Sequence, residues 1–120
     1  MQTSEVLNRA ADLIEERGWG TGPRSIMSEE APCLMGAIFA AEFGRPAESE
    51  MEGISRVSSC PAGVALHDYL QDRDASIRGP HFLWRFNDAA GRTASEVIEV
   101  LRACAVIEAS REREAAEVSA

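Results

Sequence analysis

Cysteine is sparse and scattered in this chain. Cys33, Cys60 and Cys104 are an odd number, and no two of them form a C-x-x-C pair. Such spacing offers neither a disulfide framework nor a zinc ribbon. A metal set of Cys33, Cys60, His67 and His81 can be written down, but none of its pairs has the short spacing of a zinc knuckle, so no metal is assigned. Positive charge is also short: 12 Lys and Arg face 20 Asp and Glu, for a net charge of −8. Affinity for a phosphate backbone comes from basic side chains, so nucleic acid is a poor partner. Long apolar runs are missing too. The uncharged stretch from Ala31 to Ala41 falls well short of the roughly 20 residues that a membrane span needs. The opening Met1-Gln2-Thr3-Ser4-Glu5 has no basic region, and Asp12, Glu15 and Glu16 interrupt the apolar residues after it, so no secretion signal is read. The expectation is a cytoplasmic chain with reduced thiols and no membrane contact. Neither β-alternation of useful length nor an internal repeat is present.

What is there reads as one helical domain. The 120 residues are 45% hydrophobic and 27% charged, ordinary values for a globular chain. Val6, Leu7, Ala10, Leu13 and Ile14 keep a helical period, with Thr3 or Ser4 as cap and Gly18 as stop. Residues 18–30, with three glycines and a proline, read as a long loop holding Trp19. A second helix opens near Pro32, capped by Ser28 or Glu29, and ends at Gly44 and Pro46. It is uncharged on every side from Cys33 to Ala41, so it should be the buried one. Residues 48–59 read as weakly helical at best. Pro61 restarts a helix running to about Gln71, and Gly79 to Gly91 is a second irregular stretch, containing His81, Trp84 and Phe86. Thr93-Ala94-Ser95-Glu96 is a capping box that opens the last helix, whose apolar face is Val97, Ile98, Leu101, Cys104 and Ala105. The predicted fold is therefore all-α: a compact bundle of four or five helices with two long Trp-containing loops. Residues 1–108 make the domain, and 109–120 are a polar C-terminal helical extension or tail expected to project or fray.

Four motifs stand in order along the chain. They are Gly18-Trp19, Cys33-Leu34-Met35-Gly36-Ala37, Phe86-Asn87-Asp88, and Arg92-Thr93 followed by Glu96-Val97. The set resembles a family of small actinobacterial and phage proteins known only as a domain of unknown function. The resemblance spans most of the chain except residues 45–80 and the tail. Phe86 stands where that family's pattern has Trp, and Trp84 lies two residues earlier. The resemblance implies fold and extent, and no activity.

Three functions are weighed. The first is a small acidic helical module that binds a partner protein or a small ligand, with a homodimer left open and no cofactor. Its ligand-binding candidates are Trp19, Trp84, Phe86, Asn87 and Arg92, gathered in or beside the two loops. The second is a cysteine-dependent enzyme for acyl-transfer or thiol chemistry. Cys33 at a helix N-terminus would be the nucleophile, His81 the base and Asp88 its orienter. Cysteine is more often a small core hydrophobe, and Leu34 and Met35 beside it favour packing. Asn87-Asp88 likewise reads first as a turn pinned by side-chain-to-backbone bonds, with Arg92 as its ion-pair partner. The third is an acidic decoy for a nucleic-acid-binding surface. It needs carboxylates clustered on one face, whereas here they are scattered among arginines.

Overall fold

The computed structural model describes residues 1–119. Six α-helices succeed one another, and among the described residues there is no strand: α1 (Thr3–Arg17), α2 (Leu34–Phe43), α3 (Glu50–Ser59), α4 (Pro61–Leu70), α5 (Leu83–Asn87) and α6 (Ala94–Ser119). Two short 3-10 turns, Pro23–Met27 and Pro80–Phe82, lie inside the stretches expected to be loops. The all-α expectation holds, with one helix more than the upper count.

Helix α2 is the centre of the molecule. Every residue from Leu34 to Phe39 is buried, because an uncharged helix has no face to give to water. The long helices α1 and α6 pair most extensively, and α2 packs against α1 as well. Leu7, Ile14, Leu34, Ile38, Leu66 and Leu101 meet in this core as fully buried side chains.

The caps differ from expectation. The first turn of α1 is closed by Glu5, whose carboxylate accepts from the Gln2 backbone N–H at 3.0 Å. At α2 the cap is Cys33 itself, whose Sγ accepts from Gly36 N–H at 3.4 Å. Ser28 instead accepts from Ala31 N–H within the preceding loop. Cys60 does the same for α4, accepting from Gly63 N–H at 3.4 Å while also ending α3, so the two helices abut without a linker. Gly36 and Gly63 are the third residues of their helices for a reason of space. A Cβ at Gly36 would lie 2.9 Å from the Ser25 carbonyl oxygen, and one at Gly63 would overlap that of Val57.

Residues 50–59 form a full helix, α3, where 48–59 reads as weakly helical at best. Ser49 caps it, accepting from Glu52 N–H at 3.1 Å, and Arg45 grips the Glu52 carboxylate with two nitrogens. Its buried Gly53 and Val57 face the core, and Ile54 packs against it. At α6 the Thr93 capping box is present, with Thr93 N–H donating to Glu96 at 2.9 Å and Glu96 N–H to Thr93 at 3.2 Å. The helix then continues through the segment expected to fray. Glu112 reaches the N-terminus of α1 and accepts from both the backbone N–H and the hydroxyl of Ser4. A carboxylate there satisfies two donors and opposes the positive end of the helix dipole. No described helix is long and apolar enough to cross a membrane.

Candidate functional site

The two Trp-containing stretches meet, and Asn87 is where they join. It sits at the end of α5 with no exposed surface. Its Oδ1 accepts from Trp19 Nε1 at 2.6 Å and from Leu34 N–H at 2.9 Å. Its Nδ2 donates to the Gly20 carbonyl at 3.1 Å and to Asp88 Oδ1 at 2.8 Å. A primary amide has two acceptor and two donor positions, and all four are used. The partners also fix the amide's orientation, since its reverse would set NH2 against two donors. Thus one side chain ties together the loop after α1, the start of α2 and α5.

Asp88 extends the junction. Its Oδ1 also accepts from Gly22 N–H at 3.2 Å. Beside this seam lies a cavity of about 370 Å³. Gly22, Pro23 and Ile26 wall it from the first stretch, Trp84 and Asp88 from the second, and Cys33, Met35, Glu50 and Ile54 from the helices. The lining is mainly apolar, with two carboxylates and no basic side chain.

The eight residues singled out in the sequence fall into three groups. Cys33, Trp84 and Asp88 reach the cavity. Trp19, Asn87, Phe86 and Arg92 build the frame behind it. Phe86 is buried, and the Arg92 guanidinium stacks 3.8 Å from its ring centroid. Arg92 donates to the Phe86 carbonyl at 2.8 Å and pairs with Glu96 at 3.2 Å. It therefore holds the α5–α6 corner, and the expected ion pair with the Asn87-Asp88 turn does not form. His81 stands apart: it is exposed in the 3-10 turn before α5 and does not line the cavity.

The environment of Cys33 decides its chemistry. Its position as helix cap supplies N–H groups that favour a thiolate, but burial outweighs them and pushes the thiol above its ordinary range. The neighbouring Asp88 charge pushes the same way. The Cys60 thiol is raised by burial as well, and that of Cys104 is pushed up to about 12, with Glu108 adding to the desolvation. Among the described residues, no three His, Cys, Asp or Glu side chains gather as a metal-ligand set.

Sequence reasoning missed Ile26, Met35, Glu50 and Ile54 as wall residues. Ile26 lies in a stretch read as loop, and Glu50 and Ile54 in one read as barely helical. Ser49-Glu50-Met51-Glu52 carried the signal that would have placed the last two: it has the same Ser/Thr-x-x-Glu spacing as Thr93 to Glu96.

Fold and site together define a small all-α protein with an open cavity where the loop after α1 meets α5. The chain belongs to a family of unknown function (DUF6197), which it matches over residues 1–106. That span takes in every residue of the cavity and its frame. No curated protein and no solved structure matches it.

Proposed function

We propose that the chain is a binding module that works without covalent chemistry, its ligand or partner group entering the cavity between the two loops. One observation carries this reading: the cavity is apolar and bounded by a frame whose central amide has no hydrogen bond unmade. Ligand sites are characteristically apolar concavities with a few fixed polar groups, and pre-formed walls spare the cost of ordering them. The cysteine-enzyme alternative draws on Cys33 lying on the same wall. The histidine it needs as base, His81, lies outside the cavity, and burial favours the neutral thiol.

The test is a fragment screen followed by amide chemical shifts, with Ile54→Trp as the control that fills the cavity. Perturbations should gather at Gly22, Ile26, Met35 and Ile54 and vanish in the filled variant. Shifts that scatter over other faces, or that survive filling, overturn the reading.

A further inference from the structure

We infer that the cavity selects a small organic cation with an apolar body, an inference that rests on the binding reading above. The supporting features lie on the cavity wall itself. Glu50, in the first turn of α3, and Asp88, at the end of α5, are exposed acidic residues that line one cavity from two separate elements. Asp88 spends its Oδ1 on Gly22 N–H and Asn87 Nδ2, and its Oδ2 makes no hydrogen bond among the described residues. Trp84 is an indole left 40% exposed at the rim, and an indole face attracts cations through its quadrupole. Arg85 already uses this property, its guanidinium lying 5.4 Å from the Trp84 centroid without entering the cavity wall. The remaining wall is Gly22, Cys33 and the apolar Pro23, Ile26, Met35 and Ile54, which suit hydrocarbon.

The sign of charge separates this cavity from another concavity of the molecule. That one, of about 310 Å³, is lined by Arg9, Arg17 and Arg45 with Glu29 as its carboxylate. Arg9 and Arg45 are held there by Glu16 and Glu52. An anionic ligand would therefore be drawn away from Glu50 and Asp88 rather than toward them. A hydrated inorganic cation would gain little from Ile26, Met35 and Ile54. An organic ammonium group attached to a compact apolar body satisfies both the carboxylates and the hydrocarbon wall, and Trp84 contributes to either part.

The experiment titrates the whole chain with four probes, monitored by amide shifts and the Trp84 indole signal. The probes are benzyltrimethylammonium, benzyl alcohol, phenylacetate and a peptide-borne cation, Nα-acetyl-arginine methylamide. Benzyltrimethylammonium should bind in the cavity most tightly. Glu50→Gln and Asp88→Asn should each weaken it about fivefold, the scale of one partly exposed charge contact, while leaving benzyl alcohol unchanged. Asparagine retains an oxygen for the Gly22 contact, and Glu50 lies away from the loop seam, so at least one variant keeps the fold. Equal binding of the alcohol and the cation, or no loss in either variant, overturns the cation inference and leaves the binding reading standing. Tighter binding of the arginine derivative also overturns it, in favour of a protein partner. Absence of benzyltrimethylammonium binding at millimolar concentration overturns it outright, and the fragment screen then decides the binding reading separately.

Discussion

Trp19 donates its indole N–H to Asn87 Oδ1 at 2.6 Å, joining residues 68 positions apart. Neither side chain lines the cavity, yet this bond joins the loop after α1 to α5, and both supply its walls. The polar residues most conspicuous in the sequence therefore serve the site at one remove, by fixing the position of its walls.

Removing that amide should be costly. Asn87→Ala strands the Trp19 and Leu34 N–H groups and the Gly20 carbonyl, each of which loses a protein partner in a tight place. Stranded polar groups cost about 1–3 kcal/mol apiece, less where water can enter, so a total loss of about 3 kcal/mol is expected. Urea denaturation measures it. Trp19→Phe removes one donor and should lose about 1 kcal/mol plus some packing. A double mutant whose loss equals the sum of the two singles would show that the pair is not coupled.

The two cysteine-capped helices allow a ranked prediction. Gly63→Ala drives a methyl into the Val57 carbonyl, which belongs to the preceding helix and cannot swing aside. Gly36→Ala meets backbone at 2.9–3.0 Å, a milder conflict. Helix propensity favours alanine by about 1 kcal/mol at both sites and will mask part of the clash. Thermal melts should therefore show Gly63→Ala as the more damaging, with Gly36→Ala closer to wild type. The reverse order would mean that the α3–α4 junction yields more easily than the contact of α2 with the Pro23–Met27 turn.

Glu112 gives a third prediction. Its carboxylate accepts two hydrogen bonds from Ser4 at the start of α1. Glu112→Ala should lower stability by about 1 kcal/mol, the scale of a lost N-terminal cap, and Glu112→Gln by less. Chemical denaturation of both variants decides it. No change in either would return the last turns of α6 to the status of a solvated extension.

The burial of α2 was legible in the sequence because eleven successive residues carry no charge, which leaves one physical outcome. The α6 start was legible because Thr93 and Glu96 satisfy each other's backbone donors locally. Contacts between distant residues were not legible. Nothing near Glu112 points to Ser4, and nothing near Trp19 points to Asn87, since each bond exists only once the chain has folded. Arg92 failed for a related reason. Its acidic neighbour in sequence, Asp88, turns one oxygen to Gly22 and Asn87, and Arg92 pairs instead with Glu96, one helical turn on.

Acid should weaken the corner between α2 and α3. The Arg45 guanidinium, with the Glu48 backbone N–H, lowers Glu52 from the usual 4.5 to about 2. A carboxyl with a depressed folded value adds stability above its unfolded value and loses it as pH falls through the folded one. The contribution is thus complete above about pH 5 and fades toward pH 2. Denaturation midpoints measured across that window should fall less steeply in Glu52→Gln. Parallel curves for the two proteins would count against the pairing.

Cysteine reactivity separates binding from catalysis. A nucleophile at Cys33 must be reachable and substantially thiolate near neutral pH. Here the thiol is 5% exposed and raised by burial, so the fold favours its neutral form. That preference adds stability below the ordinary thiol value of 9.0 and is lost as pH rises beyond it. Iodoacetamide added to the native protein at neutral pH should therefore modify Cys33, Cys60 and Cys104 slowly, with all three released together once denaturant unfolds the chain. Cys33→Ser should still fold, because a hydroxyl caps a helix at least as well as a thiol. A mass-spectrometric time course reads the outcome. Rapid modification of Cys33 alone, rising with pH below 8 and slowed by His81→Ala, would bring the exposed histidine into the cavity and replace the binding module with an enzyme.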